Sequence, residues 1–291
     1  MCAFLVIAWI ATTAPLPAVS ATVQARSFLW KVTSGSRTFY LAGSVHMLTK
    51  DYYPLSDALD RAFRESDLLV EELHLGEMAA PAAQLALLTR GVLSSGQSLD
   101  TVVSAEAFAR VRARIAALGL PLEPLKRFKP WSIALTLMAM EWQAAGFDHD
   151  LGLDKHFYDR AVAEGKAVRG LETVAYQIGR FDELSMPDQE RLLLQTLKEL
   201  DTEKANVKTL ADAWKRGDVS AIEQLVLEAL KTDPLMYRRL LVERNAAWLP
   251  TIAELALRPT PSFIVVGAAH LVGPDGLLAA LRAKGYQLEQ Q

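Results

Sequence analysis

Apolar and polar positions follow two rhythms along this chain. At both ends, short apolar runs alternate with turn residues; through the middle, apolar residues recur every third or fourth position. The first rhythm predicts strands and the second predicts helices. Residues 28–32 and 37–42 are β-like runs around Thr33-Ser34-Gly35-Ser36, a hairpin signature. Pro54 opens a helix through residue 64, because proline suits a first helical position. Residues 68–73 read as a strand that carries the adjacent acids Glu71 and Glu72. Helices are then predicted over 77–90, 104–118, 131–145 and 153–164, with a short strand at 166–171. More helices follow over 172–183, 187–201, 203–216, 219–231 and 235–249. A strand at 262–267, a helix at 275–284 and a strand at 286–289 close the chain. Together these predict an α/β fold: a central mixed β-sheet formed by the N- and C-terminal segments, with a large helical middle region packed over it. No period of about 20–50 residues recurs, which excludes a solenoid.

Two apolar stretches need separate treatment. Residues 131–145 (WSIALTLMAMEWQAA) are apolar nearly all round, but the stretch is short and carries Glu141 and Gln143, so it reads as a core helix. Residues 3–11 (AFLVIAWIA) form an uninterrupted apolar run, followed by Pro15, Pro17 and the small-residue site Val19-Ser20-Ala21, with a second at Val23-Gln24-Ala25. That pattern predicts a secretory signal peptide over residues 1–25, although no Lys or Arg precedes Arg26 to give it a positive start. The expectation is an exported protein, periplasmic or secreted, with no transmembrane span in the mature chain. Residues 26–291 would then form a single domain whose helical insertions cover 77–165 and 172–258.

Composition narrows the partners. At 291 residues and 51% hydrophobic, the chain can bury a sizeable core. A formal net charge of −3, with no block of one sign, gives no reason to expect nucleic acid or an anionic membrane as partner. Cys2 is the one cysteine, so no internal disulfide can form; cleavage of the leader would also remove any thiol nucleophile. No G-x-S-x-G elbow, P-loop or H-E-x-x-H occurs, and a serine hydrolase would have to rest on an unmarked Ser44.

The candidate chemistry lies in two matching segments. Phe39-Tyr40-Leu41-Ala42-Gly43-Ser44-Val45-His46 and Phe263-Ile264-Val265-Val266-Gly267-Ala268-Ala269-His270 each run apolar to a glycine and reach a histidine three residues later. Each reads as a buried strand whose C-terminal tip delivers an imidazole, with glycine letting the backbone turn. In open α/β sheets such tips are where active sites collect. A third Gly-x-x-His, Gly146-Phe147-Asp148-His149, has no strand before it. Glu72 adds a carboxylate at a strand end, costly to bury unless paired, hydrogen-bonded or metal-bound. Alternation places Glu71 and Glu72 on opposite faces, without fixing which points inward.

Two histidines and a glutamate can hold a catalytic metal with a position open for water; Zn²⁺ is possible in such a set. The same residues also support a metal-free route, one imidazole acting as general base on water and the other polarising the carbonyl. Weaker candidates surround them. His74 is expected at the surface, Asp150 as a helix cap, and His149, Asp154 and His156 belong to a His/Asp-rich helix start. Glu172 could sit beside the site or begin a helix, where a carboxylate suits the dipole. Arg244 shares a helix with Arg238 and Arg239, and whichever arginine faces inward could clamp a carboxylate.

These residues resemble the TraB/PrgY/GumN family, which includes the Tiki metalloproteases. The similarity is carried by Leu41 to His46, Leu69-Val70-Glu71-Glu72-Leu73, Gly152-Leu153-Asp154, Gly170-Leu171-Glu172-Thr173, Arg244-Asn245, Val266 to Leu271, Gly273-Pro274-Asp275-Gly276-Leu277 and Lys284-Gly285-Tyr286. Many relatives have an aspartate where His74 stands. The resemblance implies a fold similar to the erythromycin-esterase and ChaN-like group, with His46, Glu72 and His270 at the family's motif positions and Glu172 and Arg244 at further ones. It implies a hydrolase, a peptidase of the Tiki type using water activated by Mn²⁺ or Co²⁺ and acting on peptides or protein segments. PrgY-like members suggest the alternative of a protein that sequesters a peptide without cutting it.

Overall fold

The computed structural model describes residues 26–201 and 206–291. The expected leader over 1–25 lies outside the described residues. Strands β1 (Leu29–Ser34) and β2 (Arg37–Ser44) form the predicted hairpin, in register from Leu29 opposite Ala42 to Ser34 opposite Arg37. Gly35 closes it at φ +59°, left-handed geometry that costs glycine nothing. The remaining strands are β3 (Leu68–Glu71), β4 (Ala167–Gly170), β5 (Ser262–Gly267) and β6 (Gln287–Gln290).

All six lie in one sheet of order β4-β3-β5-β2-β1-β6. From β4 to β2 neighbours are parallel, whereas β1 runs antiparallel to both β2 and β6. The mixed sheet built from both ends of the chain is therefore present, with β5 inserted between β3 and β2. Burial follows position. Every residue of β3 and β5 is buried, while the edge strands β4 and β6 alternate between exposed and half-buried. Central parallel strands covered on both faces need continuous apolar runs; edge strands do not.

The four parallel strands point one way, so their C-terminal ends form one rim. Just past those ends come His46, Glu72, Glu172 and the 3-10 turn Ala268–His270. The helical middle has an apolar cluster of its own, including Leu99, Ile115, Ile133, Leu137, Leu193 and Leu197. Pro130–Ala144 is the expected core helix within it. Among the described residues no helix is long and apolar enough to cross a membrane.

Several boundaries differ from the sequence expectation. The third strand ends at Glu71 rather than 73. The helix expected over 77–90 divides into Leu75–Met78 and Pro81–Gly91, because Pro81 cannot continue a preceding helix and holds Ala80 extended. The helix expected over 235–249 becomes Pro234–Tyr237, a π-helical segment Arg238–Val242, and Glu243–Leu255, with Pro250 inside. Another π-helical segment, Glu223–Leu227, interrupts the helix expected over 219–231.

Candidate active site

Arg244 is the centre of a buried ionic network beneath the rim. It is 6% exposed, and each of its five N–H groups has a partner inside the protein. Nε donates to both oxygens of Glu172 at 3.1 Å, and Nη2 to Glu172 Oε1 at 2.7 Å and to Glu72 Oε2. Nη1 donates to the Leu240 carbonyl at 3.2 Å, in the π-helical segment, and to His270 Nε2 at 3.0 Å. Glu172 also accepts from Trp248 Nε1 at 2.9 Å and Gln177 Nε2 at 3.1 Å. Glu72 Oε1 accepts the Gly267 N–H at 2.7 Å. Burial opposes the charge on Glu72, but Arg244 prevails and holds the carboxyl below its usual range. An arginine so engaged has no donor left for a ligand; the inward-facing arginine anticipated as a carboxylate clamp holds two carboxylates of the protein itself, Glu172 and Glu72.

His270 belongs to the same network. Asn245 Nδ2 donates to the carbonyls of His270 at 3.2 Å and Asp275 at 2.9 Å, which turns Asn245 Oδ1 toward His270 Nδ1 at 2.7 Å. We therefore assign the proton to Nδ1, leaving Nε2 as acceptor for Arg244. Burial, helped by the Arg244 charge, pushes the imidazole pKa down to about 3, so the ring is neutral at physiological pH.

His46 has a different environment. Its Nδ1 lies 2.8 Å from Asp154 Oδ2, and 60% of its side chain is open to solvent. Asp154 raises its pKa above the ordinary value, while water on the open side screens that lift. Nε2 has no hydrogen-bond partner among the described residues. Local packing brings Asp154 in: Leu153 N–H donates to the Val45 carbonyl at 3.1 Å, and a side chain on Gly152 would collide with the His46 carbonyl.

In both strand-tip motifs the glycine provides space rather than a turn. A Cβ on Gly43 would run into the Phe28 ring, and one on Gly267 would stand 3.2 Å from Glu72 Oε1 and 3.6 Å from His46 Nε2. Neither glycine has positive φ.

A cavity of about 220 Å³ opens beside these groups, lined among others by His46, Glu71, Glu72, Met78 and Asp154. Glu72 thus faces the Arg244 network. Glu71, 1% exposed, has neither side-chain oxygen hydrogen-bonded among the described residues. Burial pushes its pKa up to about 9. A carboxyl raised in this way is tolerated best below its ordinary pKa of 4.5, and stability falls as pH rises from there toward 9. Glu71→Leu is therefore expected to unfold at higher denaturant than the wild type, by about 1–3 kcal/mol at neutral pH. The gap should be narrower at acid pH and wider at alkaline pH; denaturant titrations across that range check it.

The other histidines have lesser roles. His74 caps the short helix Leu75–Met78, accepting the Glu77 N–H at 3.3 Å. His156 is half-buried, its ring packed between Tyr53 and Phe157. Asp150 caps nothing; Asp148 accepts its N–H at 2.9 Å. His149, whose motif has no strand before it, nevertheless reaches the cavity wall. Ser44 is buried. Sequence reasoning did not anticipate Asp154, Asn245 and Trp248 as partners of the site residues, although Asp154 and Asn245 stand in segments that carry the family resemblance.

The divalent ion implied by that resemblance meets a mixed fit. Both imidazoles have Nδ1 against an oxygen, the outer-shell arrangement that aims Nε2 at a metal. Against this, the lone pair of His270 Nε2 is filled by an Arg244 N–H, and the guanidinium adds positive charge beside it. Among the described residues no three His, Cys, Asp or Glu side chains converge closely enough to hold one ion. As arranged, His46, Glu72 and His270 do not fit a shared metal, and no chemical step below passes through one.

Comparison with known proteins agrees with the residues. The uncharacterized protein YbaP of Escherichia coli (strain K12) is 26% identical over 249 residues, covering 85% of this chain and 89% of that protein. YbaP of Shigella flexneri is 25% identical over the same shares. No solved structure matches. The profile of the TraB/PrgY/gumN family matches residues 28–290, almost the whole described chain, and the protein belongs to that family.

Proposed function

We propose that the protein is a hydrolase of peptide bonds, the substrate class that the family resemblance implies, with His46 as its proton-transferring group. The observation that carries this reading is the His46–Asp154 pair at the cavity, with Nε2 uncommitted. Neutral His46 takes a proton on Nε2 from a water whose oxygen bonds to the substrate carbonyl carbon. Asp154 stabilises the imidazolium, which then returns the proton to the departing nitrogen as the C–N bond breaks. The Glu72–Arg244–Glu172 network and Asn245 touch none of the reacting atoms in this scheme. They fix the rim, and through Glu72 and Gly267 the backbone beside His46 Nε2.

A second reading has one observation in its favour, the Nδ1–oxygen pairing of both imidazoles. In it, His46, Glu72 and His270 would be the residues to hold a divalent ion, which would supply Lewis-acid chemistry at the rim. It requires Arg244 Nη1 to leave His270 Nε2.

The pH dependence tests the first reading. The base form of His46 appears as pH rises, so kcat/KM should climb through a pKa above the ordinary 6.5. Asp154→Asn removes the charge that raises it, so the limb should move to lower pH while the maximal rate falls. Peptide-library cleavage followed by mass spectrometry across pH measures both. A limb that stays in place overturns the assignment, and peptides bound but left intact would favour a sequestering protein.

A further inference from the structure

We infer that the cavity beside His46 selects ligands carrying a cationic nitrogen, an ammonium or guanidinium, and that Glu71 is the specificity-determining residue. The inference deepens the peptide-hydrolase reading and rests on it. Buried carboxyl oxygens are nearly always satisfied, yet both of those on Glu71 lack a partner although the residue is 1% exposed and lines the cavity. What a carboxyl lacks in that position is a hydrogen-bond donor, and the cavity is where one can arrive.

The surroundings favour a charged donor. Asp154 lines the same cavity, and among the described residues its Oδ2 alone is engaged, by His46. Glu72 contributes a third acid, already neutralised by Arg244. Among the described residues the one Lys or Arg on the wall, Lys155, is drawn to Asp159 at 2.5 Å. Leu75 and Met78 give the cavity an apolar side, suited to the aliphatic stem that a lysine or arginine places behind its charge. The chemistry recognised is therefore a peptide with a basic side chain close to the bond presented to His46. A neutral side chain of equal length would fill the apolar side and leave Glu71 without its donor.

Two peptides that differ only in lysine against norleucine test this on the intact protein. Each is titrated calorimetrically at pH 8 into wild type and Glu71→Leu, with mass spectrometry of the cell contents recording turnover. The lysine peptide should bind about tenfold or more tightly to wild type, as a charge-assisted hydrogen bond commonly supplies. In Glu71→Leu that preference should collapse, because no acceptor remains for the ammonium. Glu71→Ala serves as a second variant should the leucine form fail to fold, and the wild-type comparison needs neither. Equal binding of the two peptides to wild type overturns this inference and leaves the hydrolase reading standing. Binding of neither overturns both.

Discussion

Arg244→Met is expected to lower the unfolding free energy by about 3–5 kcal/mol, the usual cost of removing one partner from a buried ionic cluster. The size follows from what remains. Glu72 and Glu172 would stay buried without their shared cation, and the acceptor His270 Nε2 would lose its donor. The residual partners, the Gly267 N–H, Trp248 Nε1 and Gln177 Nε2, are neutral and cannot balance two carboxylates. Arg244→Lys should recover only part of the loss, because an ammonium offers three donors where five are used and cannot reach both carboxylates in one plane. Denaturant unfolding of the two variants measures this. A loss below about 1 kcal/mol for the methionine form would mean that the guanidinium does not hold the rim together.

His46→Ala is expected to behave in the opposite way: a large loss of activity with little loss of stability. Removing a positioned acid–base group commonly lowers a rate by about 10²–10⁴-fold. The side chain is 60% exposed and its pair with Asp154 is partly solvated, so the folding cost should stay within about 1 kcal/mol. His270 occupies the same place in the matching Gly-x-x-His motif and is 6% exposed, bonded on both ring nitrogens. His270→Ala should therefore reduce stability clearly, because it leaves Asn245 Oδ1 and an Arg244 N–H without partners in the interior. Parallel rate and denaturant measurements on the two alanine variants separate a reacting histidine from a structural one.

This divergence shows where sequence reading stops. The strands were legible because their apolar runs are continuous and punctuated by glycine, and the Gly-x-x-His spacing was enough to bring two distant imidazoles to one rim. The roles of those imidazoles were not legible, since burial and partners decide them. Asp154 stands 108 positions beyond His46 at the start of a helix, with no strand before it to mark it. The partners of Arg244 come from the segments just after β3 and β4, a π-helical carbonyl and the turn after β5, so a basic helix face in sequence becomes a saturated buried cation in space. Period-two alternation predicts opposite faces for Glu71 and Glu72, yet the strand ends at Glu71 and both residues line one cavity. Choosing between them needed the neighbours, and these give Glu72 an arginine and Glu71 no partner among the described residues. The π-helical segments break no hydropathy pattern and leave no signal to read.

The central claim is that the uncommitted Nε2 of His46 does the chemistry while Arg244 keeps its sites filled. The most direct test measures cleavage of one peptide set by wild type and His46→Ala, each before and after exhaustive chelation of divalent ions. The account predicts cleavage by wild type that survives chelation and a loss of about 10²-fold or more in His46→Ala under either condition. Cleavage that disappears with the metal and returns when it is restored, or that proceeds equally in both proteins, would contradict it.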